Sequence, residues 1–110
     1  MSNPETIKVA AAQIGTDSDV VSNADKIICM IRKAHEKKCR IVLFHEGCLT
    51  GYPNEDQLDS LDFEVVGAYE EEITEMAGKL GIALLIGSTT KIENEIYNDV
   101  MIVREDGRRL

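Results

Sequence analysis

The sequence predicts an α/β fold in which a mixed sheet carries its helices on one face. Three observations predict it. Residues 41–44 (IVLF) and 82–87 (IALLIG) are apolar without alternation, as in strands covered on both sides. Two longer stretches, starting near residues 22 and 64, repeat apolar residues at helical spacing. The order strand, helix, strand, helix, strand, strand implies right-handed crossovers and parallel pairing of the first three strands.

The first strand is expected over residues 7–14 (IKVAAAQI), with Lys8, Ala10, Ala12 and Ile14 on one side and Val9, Ala11 and Gln13 on the other. Residues 1–6 are polar and expected to fray. After a turn at 15–18, Ser22 or Asn23 is a good N-cap for the first helix. Its stripe is Ala24, Ile27, Ile28, Ile31, Ala34 and His35, and Lys37 and Lys38 close it where the helix dipole favours positive charge. A long acidic connection, 54–62, precedes the second helix at 64–80. That helix buries Val66, Tyr69, Ile73, Met76, Ala77 and Leu80, wets Glu70, Glu71, Glu72 and Glu75, and is capped by Gly81. Residues 82–87 form the third strand, 88–95 a polar connection and 96–104 the fourth strand. Glu105-Asp106-Gly107 then opens a hairpin.

With 110 residues, 44% of them hydrophobic, the chain has material for one domain with a modest core. Its formal net charge of −8 argues against nucleic acid and against anionic membrane surfaces as partners, since both need basic patches. No apolar run approaches the length of a membrane span, and no signal peptide is read ahead of Ile7. Cys29, Cys39 and Cys48 cannot all pair with one another. Together these features point to a reduced, cytoplasmic protein with free thiols.

Chemistry concentrates at residues 40–53 (RIVLFHEGCLTGYP). The buried run stops at His45-Glu46, and a turn rich in glycine follows. A carboxylate therefore stands where a buried strand ends, the end at which open α/β sheets bind ligands. On spacing alone, an ordinary strand-end carboxylate is the commoner explanation of Glu46. Partial desolvation there is expected to raise its pKa and to suit it to accepting a proton.

This stretch resembles the nitrilase, or carbon–nitrogen hydrolase, superfamily, in which a catalytic Glu directly follows such a strand and a Gly-Tyr pair comes soon after. The likeness extends along nearly the whole chain and includes Gln13 at the end of the first strand and the run Tyr97-Asn98-Asp99 ahead of the Asp106-Gly107 turn. The resemblance implies an α-β-β-α sandwich, of which this chain supplies half: the N-terminal portion of a single domain, cut off before the Lys and Cys of a Glu-Lys-Cys triad. It implies Glu46 as the general base for an attacking Cys, with Tyr52 as a pocket-lining candidate. It implies hydrolysis of non-peptide C–N bonds in amides, carbamoyl compounds or nitriles, with no metal or organic cofactor, in a homo-oligomer. The family usually places Pro before the Glu, and His45 in that position loosens the backbone and adds a titratable neighbour.

Other constellations carry less. His35 and Cys39, four apart, give two metal ligands where a closed zinc site needs four, and a half-buried His beside a helix-ending Cys explains them better. Cys29, Cys39 and Cys48 read as incidental thiols. Gln13 reads as a strand-end polar residue, and Asn98 as a structural hydrogen-bonder. A rival from another class is a non-catalytic interaction or oligomerisation module of the same fold, because a half-sandwich leaves one apolar sheet face uncovered.

Overall fold

The computed structural model describes residues 6–110, so the expected fraying of residues 1–5 lies outside the described part. Four strands, β1 (Val9–Ala12), β2 (Ile41–Phe44), β3 (Ala83–Ile92) and β4 (Glu95–Val103), form one sheet in that order. β1 pairs with β2 and β2 with β3 in parallel, and β3 pairs with β4 antiparallel. Helix α1 (Val20–Glu36) makes the first crossover; α2 (Glu55–Ser60) and α3 (Phe63–Leu80) lie in the second.

The core lies between the sheet and the long helices. Val42, Phe44, Leu84, Ile86, Met101 and Val103 face it from the strands, and Ala24, Ile27, Ile31, Val66, Ile73 and Ala77 from the helices. Burying side chains of this size removes apolar surface worth roughly 1.5–3 kcal/mol each from water. No described residue covers the opposite face. In register across the four strands, Ala11, Leu43, Leu85 and Ile102 form one apolar row. Leu43 is 50% exposed and Val100 53%, so this face lacks the cover that its composition was read to require.

Several boundaries differ from expectation. Asp19 caps α1, its carboxylate accepting from the amides of Val21 and Ser22. Asn23 is instead wholly buried inside the helix. His35, expected on the apolar stripe, is exposed; the buried stripe runs through Ile27, Ile31 and Ala34. β3 runs five residues beyond the predicted end. Its second half, Ser88-Thr89-Thr90, is strand in which hydroxyls replace alkyl groups, and β-branched Thr suits the pleat. The polar connection shrinks to a tight turn at Glu93-Asn94, with Glu93 at φ 57°. Gly81 caps α3 in the left-handed conformation, as its position predicts.

Candidate active site at the end of the second strand

β2 ends at Phe44, and the chain turns through residues 45–53 before α2. Gly47 (φ 66°) and Gly51 (φ 72°) both take left-handed backbone, where a side chain would be strained. The loop is fastened on three sides. Leu49 N–H donates to Gly87 O at 3.1 Å, and the Cys48 thiol donates to the same carbonyl at 3.4 Å. The Thr50 and Thr89 hydroxyls meet at 2.7 Å in a buried pair. From α1, Asn23 Nδ2 donates to Leu49 O at 3.0 Å and to Asp17 O at 2.9 Å, while its Oδ1 accepts from Asp17 N–H.

Gly87 makes the attachment to β3 possible. A Cβ there would run into Gly47 N, His45 O and Glu46 C, all backbone. The Glu46 peptide thus lies directly on β3. The Glu46 carbonyl accepts from Tyr52 Oη at 2.6 Å and faces His45 Nδ1 at 2.8 Å. The other ring nitrogen of His45, Nε2, lies 3.0 Å from Ile14 O, past the end of β1. His45 therefore tethers this strand end, where substitution of Pro was expected to loosen it.

The Glu46 side chain itself is exposed. The partial desolvation expected for it is not found within this chain, since no described residue covers that side of the strand end. Tyr52 is 64% exposed and lines a shallow pocket of about 260 Å³ with Pro53, Leu58, Thr89, Ile96 and Asn98. Glu46 is not among its walls, so the two predicted site residues meet through the Glu46 backbone and not across a common cavity. Gln13 and Asn98 are both exposed.

The thiols occupy three different settings: Cys29 exposed, Cys39 half-buried and Cys48 buried. Burial pushes the Cys48 thiol up to about 11 from its ordinary 9.0, against the opposing backbone hydrogen bonds. A thiol held neutral in this way is a poor nucleophile. Among the described residues no three His, Cys, Asp or Glu side chains gather where they would hold a metal ion. Nor is any described helix long and apolar enough to cross a membrane.

Two groups escaped the sequence reading. Asn23 looked like a cap, although its place beside Ala24 on the apolar stripe marks it as core-facing. Glu70 looked wet but is half-buried, and desolvation raises its carboxyl above the ordinary value of 4.5. Ser88 lies near enough to favour the ionised form, yet its buried hydroxyl makes no hydrogen bond of good geometry.

A mixed sheet with helices on one face, a bare apolar row on the other and a carboxylate at the end of a parallel strand defines one half of a layered α/β fold. Residues 8–110 match the family model described as carbon-nitrogen hydrolase, and the chain belongs to that family. Glutamine-dependent NAD(+) synthetase of Mycobacterium tuberculosis is 32% identical over 100 residues, covering 88% of this chain and 15% of the synthetase. The NitFhit protein of C. elegans superposes with a TM-score of 0.82 at 28% identity, over 92% of this chain and 26% of its own. A variant of the amidase from Nesterenkonia sp. AN1 in complex with butyramide superposes with a TM-score of 0.81 at 20% identity, over 94% and 41%. The chain thus spans well under half the length of these proteins.

Proposed function

We propose that this chain is the N-terminal portion of a carbon–nitrogen hydrolase acting on non-peptide C–N bonds, with Glu46 as its general base. The observation that carries this reading is the placement of Glu46. It follows a buried parallel strand directly, and its backbone is pinned by Tyr52, His45 and the close approach of Gly87. Family membership supports the chemistry. In that chemistry Glu46 takes the proton of a Cys thiol as the sulfur attacks an amide, carbamoyl or nitrile carbon. A Lys stabilises the charge developing on the tetrahedral species. For an amide or carbamoyl compound, Glu46 hands that proton to the departing ammonia or amine; for a nitrile, a water first adds to the thioimidate and ammonia then leaves. The regenerated carboxylate deprotonates the water that cleaves the thioester. The Cys and Lys belong to the remainder of the domain, whose second sheet would cover Leu43 and its row and dry the Glu46 side chain. Short amides are the first substrates to try, since the amidase of similar fold is known with butyramide bound.

The test is ammonia release from a panel of short amides and nitriles. The 110-residue polypeptide is expected to release none, and the whole enzyme to release it in a manner that depends on Glu46. Ammonia release by the 110-residue polypeptide itself, abolished by Glu46→Gln, would overturn the placing of Cys and Lys elsewhere.

The exposed apolar face supports a second reading, an association module without catalysis. Light scattering separates the two: self-association of the 110-residue chain that persists when the rest of the domain is supplied favours the module.

A further inference from the structure

His45 presents both ring nitrogens to carbonyl oxygens, Nδ1 to Glu46 O at 2.8 Å and Nε2 to Ile14 O at 3.0 Å. A carbonyl accepts and cannot donate. A neutral imidazole carries one N–H and can satisfy only one of these oxygens, whereas the doubly protonated ring satisfies both. The Glu46 carbonyl also accepts from Tyr52 Oη at 2.6 Å, which fills its second lone pair.

We infer that His45 is a positioning residue: as a two-sided donor it braces the Glu46 peptide against the end of β1, and the brace is complete only when both ring nitrogens carry protons. The bridge spans residues 31 apart in sequence and joins the ends of two parallel neighbours, β1 and β2. With the ring neutral, one of the two oxygens loses the histidine's donation, and His45 no longer bridges the two strand ends. The charged or titratable side chains at this strand end include Glu46 itself and Tyr52 from the loop and, on the β1 side, Lys26 of α1, whose Nζ donates to Gly15 O at 2.6 Å beside the Ile14 carbonyl. The catalytic meaning of the brace rests on the reading of Glu46 as general base, but its geometry does not.

The test is NMR on the 110-residue protein, following the His45 ring nitrogens and the backbone carbonyl carbons of Ile14 and Glu46 through the histidine titration. The carbonyl that gains its donor on protonation is expected to move with the ring, and both ring N–H protons to become observable in the protonated form. Movement of neither carbonyl, or a single observable ring N–H in the protonated form, overturns the brace. In a second arm, His45→Phe keeps a ring and removes both donors. The Leu49 and Gly51 amides, which close the loop, are expected to exchange about two- to tenfold faster in it, the loss of roughly one net hydrogen bond. Unchanged exchange overturns the proposal, and if the variant does not fold the wild-type titration decides alone. These readouts involve no turnover, so an inactive whole enzyme would sink the general-base reading and leave the brace standing.

Discussion

The Tyr52 hydroxyl donates to the Glu46 main-chain carbonyl across 2.6 Å, so the tyrosine grips the backbone of the acid and leaves its carboxylate clear. Its ring also closes over Gly47, where a side chain would strike it. Tyr52→Phe keeps the ring and drops the bond. Chemical unfolding should show a loss of about 0.5–1.5 kcal/mol, toward the lower end because the residue is exposed. No change in the unfolding midpoint would mean that the bond contributes nothing.

Gly87→Ala should be far more costly than its size suggests. The new methyl would meet three backbone atoms of the loop, and none of them is the end of a flexible side chain. Overpacking of this kind costs about 1–3 kcal/mol. The loop amide of Leu49, bonded to Gly87 O, should lose protection from exchange at the same time. Gly15→Ala, where a Cβ meets nothing, is the control and should be nearly neutral.

Glu70 makes a pH prediction. Its carboxyl is raised first by desolvation and next by Asp99 and Glu71, against the pull of Ser88 and Arg109. The folded state therefore binds this proton more tightly than the unfolded state does. That contribution is fully present below the ordinary 4.5 and is lost as pH rises through the elevated folded value. Glu70→Gln, which stays neutral, should gain stability relative to wild type over that rise and then hold its advantage to neutral pH. Parallel stability curves for the two proteins would contradict this.

The thiols should separate by reactivity. A thiol reagent at mildly alkaline pH should label Cys29 quickly and Cys48 only as fast as the protein opens, since Cys48 is buried and held neutral. Labelling of Cys48 at the rate of Cys29 would show that the loop is not fastened as described.

How far the sequence could be read depended on where each residue finds its partner. The run 41–44 announced a strand because it is apolar on both faces, and Glu46 stood out because that run stops just before it. The bare row of Leu43, Leu85 and Ile102 was legible for the same reason. The second half of β3 was not: Thr89 has the polarity of a loop residue, and only its buried bond to Thr50, 39 positions away, accounts for it. Asn23 has the chemistry of a cap, and its bond to Leu49 lies 26 residues off. His45 was read against the proline usual in its place, yet what it does depends on the Ile14 carbonyl, which local pattern cannot reveal. The expectation that Glu46 is partly desolvated failed among the described residues, where its side chain is exposed.

The most direct measurement concerns the proton that Glu46 is proposed to take. Single-turnover acylation of the whole enzyme by butyramide can be followed by the mass gained on its cysteine. The account predicts an acyl adduct in wild type and formation about 10²–10⁴-fold slower in Glu46→Gln, the usual worth of a positioned general base. Acylation of Glu46→Gln at the wild-type rate would contradict it.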